Sequence, residues 1–241
     1  MCIRDRFNGC CFADLDLKQQ GVIEDFQLLF YIIQPPTPER VKYDIFDRVN
    51  RGGTPLNKQE MRNDLYRGRC TRMLDKLCCS PEFLIATGRS INKERMKDQY
   101  VVLRAMAFLM LHRGEFKDIP ALQYRGDIDD FLARFMVYVN DNAPEKLIVD
   151  YENLFIRCMQ ISYDLLGENG FRFSGNGIRR PINMPLFEAL SYLFSFVPEK
   201  IDYTWASRLI LDIESVKEEF DDSRYFSGNI DSTTSVSFRF D

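Results

Sequence analysis

From Lys58 to the end of the chain, apolar residues recur with the 3.6-residue period of an α-helix, and this periodicity restricts the fold more than any other feature. In GDIDDFLARFMVYVN, the residues Ile128, Phe131, Leu132, Phe135 and Val139 fall on one face. Leu147, Tyr151, Leu154, Phe155, Cys158, Ile161 and Leu165 form a second such stripe, which Gly167 stops. Cap residues cut the pattern into separate helices: Ser80-Pro81-Glu82 reads as N-cap, N1 and N2, and Asn92 reads as the cap of KERMKDQYVVLRAMAFLMLH. Helices are thus predicted near 58–67, 70–78, 81–87, 93–113, 127–140, 144–166, 184–197 and 204–222. Such a chain buries its stripes by packing helix on helix.

One segment breaks the period. VIEDFQLLFYIIQ (Val22 to Gln34) is apolar, aromatic and β-branched and is closed by Pro35 and Pro36, so it reads as a buried strand. No second sheet is legible, and the expected class is α+β, predominantly helical. Thr37 then reads as an N-cap with Pro38 at N1 and Glu39 in the first turn, and Val41, Ile45 and Val49 give a stripe running into Gly52 and Gly53. Thr54 and Pro55 turn the chain, and Asn57 with Glu60 forms a capping-box variant that opens the next helix. The first residues, MCIRDR, match neither a signal nor a transit peptide and read as a non-native start. At the far end STTSVSFRFD begins another capped amphipathic segment, so both ends read as cut.

Composition excludes several classes. With 45% hydrophobic and 28% charged residues the chain is of ordinary folded composition. Its longest apolar run, YVVLRAMAFLMLH, is interrupted by Arg104 and falls short of the roughly 18 residues a membrane span requires, so no membrane is expected as a partner. The seven cysteines include two adjacent pairs and no C-x-x-C spacing, and His112, the single histidine, precedes Gly114 at a helix end. Reduced thiols, a cytoplasmic location and no metal are the expectation. Asp127, Asp129 and Asp130 sit on a first helical turn, where they complement the dipole rather than ligate a cation.

Charge is uneven. Between Asp47 and Lys76 eight cations face four acids, +4 in a chain of net charge −4, which leaves −8 elsewhere. A solvated helix pair and a basic patch remain equal alternatives; in the second, Arg62, Arg67, Arg69 and Arg72 are the residues to meet DNA or a partner. GFRFSGNGIRRPINMPLF is the longest loop candidate, and Arg172, Arg179 and Arg180 are positioned there for an anion or an acidic partner, unless the loop is a plain connector.

The densest polar signature is IFDRVNRGGTPLNKQEMRNDLYRG. Two readings of its doubled glycine stand together. Glycines without Cβ let backbone N–H groups approach phosphate oxygens while Arg48 supplies bidentate bonds; alternatively Gly52 is a left-handed helix cap, Gly53 completes the turn, and Arg48 and Asn50 tie two helices together. The segment resembles the pattern I-F-x-R-[IV]-N-x-G-G-x-x-L-x-x-Q-E-[LIM]-R-N of the N-terminal part of GmrSD-type restriction endonucleases. It matches at Ile45, Phe46, Arg48, Val49, Asn50, Gly52, Gly53, Leu56, Gln59, Glu60, Met61, Arg62 and Asn63. VLRAMAF, GDIDDFL, VNDN and LFEALSYLF look like the helical continuation of that family.

The resemblance implies a ParB/sulfiredoxin-like nucleotide-hydrolysing domain followed by a helical region, in systems that restrict modified phage DNA. Residues 7–68 would be the C-terminal remnant of the first, after a non-native 1–6, and 69–241 the second. It implies a nucleoside triphosphate with magnesium in the full-length protein, and modified DNA and an H-N-H nuclease domain or subunit as partners. Arg48, Asn50, Gly52 and Gly53 would touch phosphate, and Asn57, Gln59, Glu60, Arg62 and Asn63 would build the turn and its cap. The family's D-G-Q-Q-R motif is not in this sequence, nor is an H-N-H motif, so no catalytic residue is assigned. The alternative function is a non-enzymatic helical module that holds DNA or a nuclease.

Overall fold

The computed structural model describes residues 9–30, 32, 34, 36–37, 41, 44–45, 48, 55–174, 179–198, 200, 202–221 and 223–240. They fall into two units, Met1–Ile45 and Phe46–Asp241. In the first, Asp16 caps helix α1 (Leu17–Glu24) by accepting from the Gln19 amide at 2.8 Å, and none of the helix's residues is buried. In the second unit follow α2 (Lys58–Leu65), α3 (Arg69–Cys78), α4 (Pro81–Ala86), α5 (Lys97–His112), α6 (Ile128–Asp141), α7 (Glu145–Leu166), α8 (Met184–Phe194), α9 (Tyr203–Phe220) and α10 (Thr233–Phe240). Each helix predicted from Lys58 onward therefore forms, and the protein is predominantly helical.

Helix α5 is the centre. Every residue from Val101 to Met110 is buried, as an all-round apolar helix must be, and α3, α6 and α8 pack around it. A second nucleus joins α4, α7 and α8 through Phe83, Phe155 and Phe187, whose rings lie 6.2–6.3 Å apart. Ser80 caps α4 and Gly167 ends α7 with φ 63°, as their sequence signals require. The described cysteines form no disulfide; Cys70, Cys78 and Cys158 are core residues, and burial pushes the Cys158 thiol up to about 12. No helix among the described residues is long and apolar enough to cross a membrane.

Helices α3 and α6 cap each other. Gly68, the N-cap of α3, has no side chain to offer, and Asn140 near the end of α6 substitutes: its Oδ1 accepts from the Cys70 amide at 2.9 Å. Its Nδ2 donates to the Tyr66 carbonyl at 2.8 Å. In return Arg69 donates Nε to the Val139 carbonyl at 2.9 Å and reaches the Ala143 carbonyl, satisfying the C-terminal end of α6. A Cβ on Gly68 would stand 2.5 Å from the Asn140 Oδ1, so the close approach requires glycine.

The residue that interrupts the apolar run of α5 is paired. Arg104 donates to Glu188 on α8, to Asp231 at 2.7 Å and to the Tyr100 hydroxyl at 3.1 Å. Arg239 on α10 reaches the other Glu188 oxygen at 3.2 Å and the carbonyls of Tyr225 and Ile230. Burial works against the Arg104 charge, but Glu188, Tyr100 and Asp231 together more than offset it and hold the guanidinium above its ordinary value. The expected amphipathic segment is helical over Thr233–Phe240 and turns one face into the core, where Val236 is buried and Phe240 stacks on His112 at 3.9 Å.

Three expectations are corrected. The strand over Val22–Gln34 does not form among the described residues: Val22–Glu24 close α1, and Phe26–Phe30 carry neither helix nor ladder. A strand is completed by a neighbour, and the described residues contain none; Phe26, Leu28, Leu29, Phe30 and Ile32 are consequently exposed. Asn92 does not open α5, because Arg95 and Met96 adopt left-handed φ of 57° and 58° and delay the helix to Lys97. In the long loop Arg172 is buried and donates to the carbonyls of Thr87, at 3.2 Å, and Arg180, so it is an internal staple rather than an anion contact.

Candidate functional site

The start of α2 carries most of the described residues of the family-like segment. The Asn57 Oδ1 accepts from the Gln59 and Glu60 amides at 2.8 and 2.9 Å, and Glu60 Oε2 accepts from the Asn57 amide at 2.6 Å. The predicted capping box therefore forms in both directions. Burial tends to raise the Glu60 carboxyl, and the bonds from the Asn57 amide and Arg95 outweigh it, holding the group below its ordinary range.

Behind the cap lies a buried polar knot. Gln59, Arg62 and Asn63 are all buried, on a helix whose inward apolar residues are Met61, which is buried, and Leu65, which is half-buried against the core. Gln59 Nε2 donates to Asn63 Oδ1 at 2.8 Å, and Arg62 Nε donates to Gln59 Oε1 at 3.1 Å. Arg62 Nη1 then crosses to α6 and meets Asp129 Oδ1 at 2.7 Å, while Lys58 takes the other carboxylate oxygen. Its guanidinium also lies 5.4 Å from the centre of the Tyr100 ring. Asn63 continues the chain to Gln99, whose Nε2 donates to Asp75 Oδ1 at 2.7 Å. One short helix is thus tied to α3, α5 and α6.

Asp129 was expected to serve the α6 dipole alone. It does more: burial would raise its carboxyl, but the hydrogen bonds from Lys58 and Arg62 prevail and hold it below the ordinary 3.8. Asp127 is the side-chain cap, accepting from the Asp130 amide at 3.1 Å, and Asp130 pairs with Arg134 at 2.8 Å.

The proposed phosphate residues are only partly described. Arg48 is helical and exposed; Asn50, Gly52 and Gly53 lie outside the described residues. What is described is the downstream wall of the turn. Pro55 offers its carbonyl to Arg95 Nη2 at 2.7 Å, and Arg95 also reaches Glu60 at 3.1 Å. Sequence reasoning missed Arg95, Gln99 and Tyr100; none belongs to a local motif, and a left-handed arginine has no signature of its own.

Four of the eight cations of the basic window, Lys58, Arg62, Arg69 and Lys76, are engaged within the protein. Arg62 is buried against Asp129, Arg69 is spent on helix carbonyls, and Lys76 pairs with Glu152. Arg67 and Arg72 are exposed and carry no ion pair among the described residues. In the long loop Arg179 pairs with Glu168 at 3.0 Å, and Arg180 pairs with Asp221. If DNA binds this face, two free cations release about two counterions. The slope of log K against log salt is then expected near −2, not the roughly −4 that all four arginines would give. Anisotropy titration of a labelled duplex across a salt series measures it, and a slope near −4 would mean that Arg62 and Arg69 leave their internal partners.

No protein-family model, curated protein or solved structure matches the chain.

Proposed function

We propose that this chain is part of a prokaryotic phage-defence protein resembling the nucleoside-triphosphate-dependent, modification-sensing subunit of GmrSD-type restriction systems. The finer fold reading, a ParB/sulfiredoxin-like remnant ahead of the helical unit, belongs to the same proposal. The observation that supports it is how the family-like residues are used. A turn that only punctuates two helices needs the Asn57–Glu60 cap and nothing behind it. Here Gln59, Arg62 and Asn63 are also taken out of water and bonded to each other, to Asp129 on α6 and to Gln99 on α5, which in turn reaches α3. That arrangement fixes the position of the chain that leaves the glycine turn, as a pocket wall would require.

In this reading Arg48 gives charge-assisted bonds to the triphosphate, the Asn50–Gly53 backbone approaches its oxygens, and the cap and knot hold that edge rigid. Magnesium and the catalytic carboxylate would come with the D-G-Q-Q-R segment of the family. The chain alone is expected to bind nucleotide weakly. Supplied with a D-G-Q-Q-R segment of that family, it is expected to hydrolyse nucleoside triphosphate, and Arg48→Ala to lower the rate by about 10²-fold, as for loss of one charged stabiliser of the transition state. Unchanged hydrolysis in that variant removes the turn from the mechanism. The alternative, a helical module that holds DNA or a nuclease without chemistry, has less to draw on, since Arg62, Arg69, Arg179 and Arg180 already bond to groups of the chain itself.

A further inference from the structure

Two consecutive left-handed residues, Arg95 and Met96, stand where the sequence encodes helix. Neither is glycine, asparagine or aspartate, the residues that tolerate this region, so the local conformation is paid for by contacts elsewhere. Those contacts are visible. Asn57 Nδ2 donates to the Arg95 carbonyl at 2.7 Å, Asn63 Nδ2 lies 3.1 Å from the Met96 sulfur, and the Arg95 guanidinium is held by Glu60 and the Pro55 carbonyl. Every one of them comes from the Pro55–Asn63 segment.

The unbroken alternative is half built. Asn92 Oδ1 already accepts from the Glu94 amide at 2.8 Å, the bond that an N-cap makes to N2. With Lys93 as N1, the amides of Lys97, Asp98 and Gln99 would bond to the carbonyls of Lys93, Glu94 and Arg95, extending α5 by one turn. Asn92 also holds the Glu94 carboxylate through Nδ2 at 2.8 Å, which places a negative charge on that first turn, where the dipole favours it.

We propose that Lys93–Met96 is a two-state start of α5, held broken by the Pro55–Asn63 segment, so that displacement of that segment lengthens α5 by one turn at its N-terminal end. The device couples the turn downstream of the glycines to the central helix of the second unit. It rests on the geometry of the joint and stands whether or not the turn binds a triphosphate.

Two substitutions at the exposed Arg95 separate strain from contact. Arg95→Ala and Arg95→Gly remove the same guanidinium arms and leave the α2 capping box intact, but only glycine adopts the left-handed conformation freely. In Arg95→Ala the amides of Lys97–Gln99 are expected to exchange about tenfold more slowly than in Arg95→Gly, with Leu103–Leu109 alike in both, as read by amide hydrogen exchange on the full chain. Equal exchange at Lys97–Gln99 in the two variants overturns the proposal. In the unsubstituted protein the Cα chemical shifts of Arg95 and Met96 are expected to be left-handed in type, and right-handed helical shifts there would equally sink it.

Discussion

Glu188→Gln is expected to be the most damaging of the charge-removing substitutions, lowering the free energy of unfolding by about 3–5 kcal/mol. The carboxylate is fully buried and serves two guanidinium groups, Arg104 and Arg239, whose side chains are 1% and 0% exposed. Removing its charge leaves both cations in a medium that cannot solvate them. Asp231 remains beside Arg104 but is 31% exposed, so it compensates weakly. Arg239 is the more vulnerable of the pair, because burial and the neighbouring Arg104 already hold its guanidinium below its ordinary value. A chain of this length loses about 2–4 °C of melting midpoint per kcal/mol, so calorimetry should show a drop of roughly 10 °C. Adding Arg239→Met should recover part of that loss, since it removes the charge left in excess. A drop below about 2 °C would show that water reaches the cluster.

Arg62→Ala is expected to cost about 3 kcal/mol, with a lower urea midpoint and an unchanged slope. The substitution removes the bond to Asp129, deprives the buried Gln59 Oε1 of its donor, and leaves a void beside Tyr100. Arg67→Ala, a few residues on at the surface, should stay within about 0.5 kcal/mol. The same pair has a pH signature. Asp129 is lowered from its ordinary 3.8, so its stabilisation is fully present above about pH 4 and is lost as pH falls through its folded-state value. Asp129→Asn should remove that acid-limb dependence while leaving the curve above pH 5 parallel to the original. An acid limb identical in the two proteins would assign it to other carboxylates.

The helices were legible because their signals are local. Ile128, Phe131, Leu132, Phe135 and Val139 announce their own face, and Asn57 with Glu60, or Ser80 with Pro81, need only residues within one turn. The misreadings share a cause of the opposite kind. Val22–Gln34 has the composition of a strand, but a strand exists only through a partner. Asn92 is a competent cap, yet contacts from α2 impose left-handed backbone on Arg95 and Met96 and move the helix start. Within the candidate site, the motif positions and the Asn57–Glu60 cap were found, and the bonds behind the cap were not. Arg62 read as a surface cation because nothing near it in sequence reveals Asp129, and Arg69 because its acceptors are carbonyls, which composition never displays.

The exchange of caps between α3 and α6 bears on how the second unit comes apart. Gly68 leaves the first turn of α3 without a local cap, and the last carbonyls of α6 depend on Arg69. Neither end is secure in an isolated helix, so the two ends fray and re-form together as one cooperative opening unit. The junction between α2 and α3 is anchored by a side chain from far along the chain. Because that contact spans 74 residues of sequence, the junction is expected to form only once α6 is in place, which φ-value analysis at Asn140 would check.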